Sequence, residues 1–366
     1  MAKEVITRGE ARCIIMLFIM GSTLILGTAG QAQTDKWIAI LLAMGMAAPF
    51  MLMYGRLLDL FPGNDLFDIF EIVFGKWLGK IFVLLFTWYA LHLGALVLRN
   101  YGEFMDSVAM PETPMIVPML FIGMLSIFVV KAGIETMGRS SRLLLNFCLA
   151  LICIVAFLAM GRFQFENLLP VLDKGFGRVW EGAFSAFSFP FAETVLLTTI
   201  LPHLKGGKST ASSFLYAMLL AGMIVLFIAV RNSVVLGEIA LTSTYFPSYI
   251  AVSRVNVGDF IQRIEGTVAV VFVVTVFIKI SVCLFAASKG ISKLFGLHNY
   301  RSVVIQCGLL LTYLAYFIYE NIMEMEHWAT YIYKYYAFPF QVVIPMVLYI
   351  FAEVKVRRAR RARRAK

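Results

Sequence analysis

The residues best suited to chemistry in this sequence are a proline and a glutamate, three positions apart in an apolar segment. Pro190 lacks a backbone N–H and clashes with the preceding turn, which predicts a break in the helix over 187–193. Irregular backbone at membrane depth is tolerated only where protein buries it or where it lines a cavity. Glu193 adds a carboxylate that hydrocarbon does not accept unpaired. The predicted ligand-binding residues of this segment are Ser188, Phe189, Pro190 and Glu193.

A second charge of this kind is Lys279, midway along another apolar run. Cys283 follows four residues later and shares its helix face. Glu193 is the natural partner of Lys279 inside a helical bundle, because each charge is costly alone in a membrane. Two interpretations stay open: a structural ion pair, or two groups that contact a ligand. Lys279 and Cys283 are included in the predicted binding site.

The first apolar segment has small residues at Gly21, Ser22 and Thr23, and again over 27–30. Taken alone, this pattern favours close helix packing. The segment lies five helices before the Pro190 break, however, and interruptions at matching positions in two halves indicate an inverted-repeat transporter site. Half-helix N-termini suit a carboxylate, and unwound carbonyls suit an ammonium group or a cation. An amphoteric molecule such as an amino acid therefore fits better than a fatty acid or a polyanion.

Other polar residues in the predicted helices are harder to interpret. Tyr89 and Leu93 share one helix face, with His92 beside it. An aromatic residue in a membrane helix usually packs in the core or faces lipid, so a binding role for Tyr89 and Leu93 needs further support. Arg99 and Arg231 lie nearer the outer ends of their helices and are predicted to snorkel towards water.

Composition defines the class of protein. The 366 residues are 60% hydrophobic and 15% charged, with a mean hydropathy of +0.83, which indicates a polytopic membrane protein. Five scattered cysteines and four separated histidines predict neither a disulfide framework nor a metal site, and no cofactor is expected. Since no Ser/His/Asp cluster or phosphate-binding loop is present either, an enzyme is not expected.

The apolar runs predict an all-α fold of about ten transmembrane helices, arranged as two inverted five-helix repeats with helices one and six broken. The first run is interpreted as a retained span and not as a cleaved signal. The chain is predicted to be a single membrane domain over 1–366, with repeat one at about 12–161, repeat two at about 179–353 and a basic tail at 354–366. The predicted spans are 12–32, 36–55, 80–106, 114–131, 141–161, 179–201, 210–236, 263–288, 302–319 and 334–353.

Charge sets the predicted orientation. Eight of the 32 Lys and Arg residues lie in the tail, so the net charge of +10 leaves no basic face for nucleic acid. Outside the tail, 14 Lys and Arg fall in the predicted cytoplasmic segments and seven in the outer loops, which places both termini in the cytoplasm. The tail is expected to contact anionic membrane lipid or to act only as a topology anchor.

The predicted loops leave no room for a separate soluble domain. The first cytoplasmic loop, over 61–80, is expected to form an amphipathic helix at the membrane interface. The outer loops at 162–178 and 237–262 are long enough to hold short helices.

Taken together, these features resemble the endospore germination permeases, the B subunits of nutrient germinant receptors in the amino acid–polyamine–organocation superfamily. The resemblance runs in order over nearly the whole chain, and no single motif decides it. The matching segments are the Gly21 stretch, Pro62-Gly63 with Phe74-Gly75-Lys76-Trp77-Leu78-Gly79-Lys80, Asn167-Leu168-Leu169-Pro170-Val171-Leu172, Glu193, and Arg263-Ile264-Glu265.

The resemblance implies a central pocket between helices one, three, six and eight, which places Tyr89 and Leu93 with the other candidate residues. It implies a nutrient ligand, commonly an L-amino acid, that is sensed in the inner membrane of the spore. It also implies two partners, a larger membrane A subunit and a lipoprotein C subunit.

The sequence departs from the superfamily pattern at the first break. Thr23 stands where a second glycine is usual, and the Gly27-Thr28 region stands where a proline is usual. The pocket can therefore be narrower or differently shaped than in the superfamily, and the identity of the ligand cannot be transferred from other members. Lys279 adds a positive charge that can hold an anionic group or replace a sodium ion, as a lysine does in some relatives.

Two functions fit these observations. The first is a ligand-binding subunit that signals germination to partner subunits through a conformational shift. The second is a proton- or cation-coupled amino acid transporter that uses the same pocket, with coupling through Glu193 or Lys279.

Overall fold

The computed structural model describes residues 4–204, 210–255 and 264–364, and these residues form helices without any strand. The first half of the chain alternates long helices with short connections. Its helices are α1 Arg8–Met20, α2 Thr23–Leu26, α3 Lys36–Leu60, α4 Leu66–Phe74, α5 Lys76–Phe104, α6 Ile116–Ala132 and α7 Ile134–Ala159.

The second half repeats this pattern with more irregular segments. Its helices are α8 Phe176–Ala186, α9 Thr210–Thr242, α10 Pro247–Ser253, α11 Glu265–Leu294, α12 Val304–Phe317, α13 Ile322–His327, α14 Tyr333–Phe338 and α15 Ile344–Arg364. Short π-helical segments at Trp328–Ile332 and Pro339–Val343 join the last three helices into one long span.

Ten membrane crossings follow from these helices. Six helical runs are each long and apolar enough to cross a bilayer, and α6 and α12 are shorter apolar helices. The remaining two crossings are interrupted: α1 with α2, and α8 with the irregular segment that follows it. The predicted all-α fold with broken helices one and six is confirmed, whereas the repeat boundaries at about 12–161 and 179–353 stay a prediction.

Helices α5 and α11 form the centre of the bundle. Protein buries 78% of the most apolar stretch of α11 and 67% of that of α5, against 33–44% for the other long spans. Gly94 allows the two helices to approach, because a Cβ at this position would lie 3.0 Å from Cβ of Cys283. The binding-site candidates on these two helices therefore lie in the protein interior.

Several predicted boundaries are wrong for a common reason. Only Gly133 separates α6 from α7, so the loop expected at 132–140 is helical. The interfacial helix predicted over 61–80 is α4 alone, because Gly75, at a φ of 83°, ends it and α5 begins at the next residue. Hydropathy locates the apolar part of a helix but not the polar turns that extend beyond the hydrocarbon.

The outer loops contain short helices, as expected. The loop at 162–178 has a 3₁₀ turn at Phe165–Leu168, and α10 lies within 237–262. The basic tail continues α15 as one helix to Arg364. Lys3, Lys205, Lys208, Arg263 and Lys366, used above for orientation and resemblance, lie outside the described residues.

A glycine contact between α3 and α9 gives a test of this packing. A Cβ at Gly55 would lie 2.6 Å from Cβ of Ala211 and would overlap its backbone. We expect Gly55→Ala to lower the free energy of unfolding by about 1–3 kcal/mol, because the helices must separate. Thermal unfolding of the detergent-purified protein measures this loss. Gly45→Ala on the same helix is the matched control, since no atom lies within 4 Å of its added Cβ; equal stability of the two variants would contradict the packing.

Candidate functional site

The first span is broken at Gly21. Helix α1 ends at Met20, and Gly21 adopts a φ of 21° and a ψ of −129°, a conformation that favours glycine. The hydroxyl of Thr275, on α11, donates to the carbonyl oxygen of Gly21 at 2.8 Å. The hydroxyl oxygens of Ser22 and Thr23 are buried and have no hydrogen-bond partner within the part of the chain that the structure describes. The break therefore exposes polar groups to the interior of the bundle.

The sixth span is broken where the proline predicted it. Helix α8 ends at Ala186, Phe189 leaves the helical region with a φ of −130° and a ψ of 109°, and the Phe189–Pro190 peptide bond is cis. The chain then continues as a 3₁₀ helix at Ala192–Thr199. The freed carbonyl oxygen of Phe189 accepts a hydrogen bond of 2.7 Å from the hydroxyl of Thr28. This contact joins the two interrupted spans directly.

Glu193 and Lys279 form a buried ion pair. Lys279 Nζ donates to Glu193 Oε2 at 2.5 Å, and the hydroxyl of Tyr333 donates to Oε1 at 2.5 Å. Both charged side chains are fully buried. The ammonium group also lies 5.2 Å from the ring centroid of Phe18 and 4.8 Å from that of Phe189. The structure thus contains the ion pair, and contact of Glu193 or Lys279 with a ligand stays a prediction.

A hydrogen-bonded chain continues from this pair into spans three and ten. The hydroxyls of Tyr333 and Tyr89 lie 3.4 Å apart, and Gln341 Nε2 donates to the hydroxyl of Tyr89 at 2.9 Å. Gln341 also binds the carbonyl and the hydroxyl of Ser188, at 2.9 and 3.0 Å. The network thus connects the break in span six to α5, α11 and the last span.

A cavity of about 600 Å³ leads from the protein surface to this network. Leu93, Phe189 and Glu193 lie on its wall, and Arg178, Glu181 and Ser185 line it from one face of α8. Its mouth includes exposed residues of α8, α9 and α13, namely Arg178, Glu181, Thr242 and Glu326. The cavity therefore ends at the buried ion pair.

The opposite side of the bundle is closed by the N-terminal segment. The backbone N–H of Ile6 donates to the carbonyl of His203 at 2.9 Å, and Glu4 pairs with Arg301. Lys289 of α11 pairs with Asp65, ahead of α4, at 2.8 Å. These contacts join the N-terminal segment to the sixth span and to the residues before α12, and join α11 to the residues before α4. The described structure is thus open on one side of the membrane and sealed on the other.

The structure divides the sequence-predicted residues into three groups. Leu93, Phe189 and Glu193 reach the cavity, while Tyr89, Ser188, Pro190 and Lys279 are buried around the network. Gly21, Ser22 and Thr23 form the first break. Cys283 is buried against Gly94 and is not among the cavity-lining residues. Its role in binding, like that of the whole set, stays a prediction.

Sequence reasoning missed four polar partners: Thr28, Thr275, Tyr333 and Gln341. Gln341 had a usable signal, since it is an amide in an apolar span between Pro339 and Pro345. Tyr333 lies just outside the predicted tenth span, because that span begins at 334 whereas the helical run begins 12 residues earlier, at Ile322.

The prediction that Arg99 and Arg231 snorkel is wrong. Arg99 is 3% exposed; it pairs with Glu103 at 2.7 Å and donates to the carbonyl of Tyr316 at 2.6 Å. Arg231 is 4% exposed and donates to the side chain of Asn232 at 2.7 Å. Local acceptors, one four residues away and one adjacent, hold these guanidinium groups inside the protein.

Among the described residues, no group of three His, Cys, Asp or Glu side chains is placed to hold a metal ion. The five cysteines have no disulfide partner.

The fold, with its central cavity, is that of secondary transporters of known structure. The chain superposes on the crystal structure of MhsT in complex with L-phenylalanine with a TM-score of 0.66, covering 92% of this chain and 88% of MhsT at 13% identity. It also superposes on Mhp1, a nucleobase-cation-symport-1 family transporter, with a TM-score of 0.56, 89% and 75% coverage and 14% identity. At these identities the likeness shows the fold alone.

By sequence, the chain belongs to the spore germination protein family, which it matches over residues 5–325. It is 28% identical to spore germination protein KB of Bacillus subtilis (strain 168), over 99% of this chain and 98% of that protein. It is 24% identical to YndE of the same strain, with 79% and 81% coverage, and 24% identical to GerQB of Bacillus cereus, with 80% coverage of both. The family resemblance predicted from the sequence is confirmed.

The ion pair yields a double-mutant test. We expect Glu193→Gln and Lys279→Met each to cost about 3–5 kcal/mol of stability, because each leaves a buried charge unpaired. The double variant should lose far less than the sum, since neither charge remains. Thermal unfolding of the four proteins in one detergent measures the coupling. Additive losses would argue against a direct pair. Arg56→Gln, which breaks an exposed ion pair with Glu353, is the control for the general effect of losing a charge.

Proposed function

We propose that this protein is the nutrient-binding subunit of a spore germinant receptor, with an amino acid as its ligand. The cavity that ends at Glu193 between two broken spans is the observation that carries this proposal. Family membership supports a role in germination. The protein then lies in the spore inner membrane with both termini in the cytoplasm, and the cavity opens away from the cytoplasm.

The cavity suits a small amphoteric ligand. Its volume falls within the range of about 300–1,000 Å³ that is usual for small-molecule sites. Its wall combines apolar side chains such as Leu93 and Phe189 with the polar groups of Glu193 and Thr28. MhsT, which shares the fold, was crystallised with L-phenylalanine, and this supports the amino acid class.

The proposed signal is a shift between two conformations of the spans that meet at the ion pair. A ligand changes such an equilibrium only if it binds the two conformations with different affinity. Closure around a ligand moves the segments at Gly21 and Phe189, and these are connected through α1 and the sixth span to the sealed side at Ile6 and His203. The A and C subunits of the receptor are proposed to respond to that movement.

Binding without transport is the expected behaviour of the purified protein in liposomes. Trp328 lines the cavity, so a bound amino acid should change its fluorescence in a saturable way. Trp328→Phe should abolish the signal, whereas Trp77→Phe, at an exposed position 88% accessible on α5, should retain it. We expect no gradient-driven uptake of the radiolabelled ligand. Uptake that saturates and follows an ion gradient would contradict a purely receptor role.

A transporter is the second candidate function. The observation that favours it is the Glu193–Lys279 pair, because protonation of the carboxylate would release the ammonium group and loosen the join between the broken spans. Proton-driven uptake that disappears in Glu193→Gln, in protein that still inserts, would establish this function in place of the first.

The break at Gly21 is expected to be necessary for ligand response. A Cβ at this position would contact the side chain of Lys279 and lie 2.9 Å from the carbonyl oxygen of Phe18, and the positive φ strains other residues. We expect Gly21→Leu to remove the fluorescence response while the protein still inserts. Gly9→Leu in the same helix is the matched control, since no atom lies within 4 Å of its added Cβ. A normal response from Gly21→Leu would exclude this position from the site.

A further inference from the structure

One buried cation in the cavity has no assigned role. Lys36 is the first residue of α3, lines the cavity and is 8% exposed. A lysine at the end of a membrane helix ordinarily extends into water or towards lipid headgroups. The low exposure of Lys36 excludes that arrangement. Its side chain contributes to the wall of the cavity instead.

Lys36 lacks the acidic partner that the other buried lysines have. Lys279 pairs with Glu193, and Lys334, 2% exposed, pairs with Glu181 at 2.8 Å. Among the described residues, Lys36 makes neither a salt bridge nor a side-chain hydrogen bond. The carboxylate of Asp35, the residue before it, accepts instead from the backbone N–H of Leu172, at 3.1 and 3.2 Å. The charge is therefore not balanced by the protein.

The position of Lys36 along the cavity follows from its neighbours. The 3₁₀ segment Gly30–Asp35 packs on α8 at Gly182, where an added Cβ would lie 2.8 Å from Cβ of Ala32. Gly182 lies 11 residues before Glu193, so Lys36 occupies the outer part of the cavity, above the ion pair. A ligand seated on Glu193 would extend towards it.

The other charged groups on the cavity wall do not neutralise Lys36. Glu181 and Glu193 are each occupied by a lysine, and Glu326 lies at the exposed mouth together with Arg178. The start of α3 adds the positive end of a 25-residue helix near the same place. The outer part of the cavity thus has an excess of positive charge.

The geometry points to Lys36 as an anion-binding group of the ligand cavity. Lys36 binds the carboxylate of the nutrient, and the rest of the nutrient lies towards Glu193. This inference deepens the proposed function and rests on it for the identity of the ligand. An uncompensated buried ammonium is costly in the empty protein, and an arriving carboxylate removes that cost. Selection for a carboxylate then follows from Lys36 and not from the ion pair deeper in the cavity.

The first experiment measures the charge of the cavity without any nutrient. Iodide, an anion, and acrylamide, which is neutral, both quench tryptophan fluorescence. The quenching of Trp328 is obtained as the difference in quenching between the protein with Trp328 and the Trp328→Phe variant. We expect Lys36→Met to reduce iodide quenching of Trp328 at least about threefold, because a local potential of a few kT concentrates anions. Acrylamide quenching should not change, and Lys36→Arg should keep the iodide effect. Unchanged iodide quenching in Lys36→Met would overturn the inference.

The second experiment compares L-phenylalanine, L-alanine and L-asparagine with their α-amides in fluorescence titrations. The protein should bind at least one acid at least about tenfold more tightly than its amide, and Lys36→Met should lose this preference. Lys174→Met is the matched control: this lysine is exposed in the loop before α8 and is not a cavity-lining residue. Retained preference in Lys36→Met would overturn the inference.

The two experiments separate the two proposals. Charge-dependent iodide quenching without binding of any amino acid would support an anion-binding group and contradict the amino acid function. Amino acid binding with equal affinity for acid and amide would support the proposed function and overturn the role of Lys36.

Discussion

The structure depends on the cost of placing two opposite charges in a dry protein interior within the membrane. Glu193 and Lys279 meet this cost with a 2.5 Å contact, and Tyr333 satisfies the second carboxylate oxygen. Such a pair contributes little net stability over an apolar core of similar volume. Its stronger effect is on geometry, because the sixth span, α11 and the last span must hold fixed positions for the charges to stay paired. The pair therefore determines where the broken spans meet.

This constraint also explains how the open and closed sides of the protein are connected. The 3₁₀ segment that contains Glu193 continues to His203, which accepts from the backbone of Ile6 ahead of α1. Helix α11 contains both Lys279, in the network, and Lys289, which pairs with Asp65 on the sealed side. In the proposed signal, movement at the base of the cavity would pass along these two elements to the contacts that close the opposite face. No separate relay is required.

The sequence was informative where the physical cost was high. Pro190, Glu193 and Lys279 identified the centre of the site, because each is costly in a membrane helix unless the fold provides for it. Tyr333 and Gln341 cost less, and hydropathy placed the former outside its span. Lys36 is one of the seven Lys and Arg that the sequence assigns to the outer loops, since nothing local indicates that Gly30–Asp35 folds onto α8 and buries it. Burial by distant segments is a tertiary property that one sequence does not display.

The two lysines of the cavity region show why pairing matters more than burial in assigning a role. Lys279 is fully buried and is satisfied by an acid from another helix, so it is complete without a ligand. Lys36 is nearly as buried and has no acid, although Asp35 precedes it in the chain. If Lys36 had only a structural role, an ion pair between the carboxylate of Asp35 and the ammonium group of Lys36 would stabilise the protein. Because Asp35 instead fixes the backbone of Leu172, the charge of Lys36 remains available to a molecule that enters from outside.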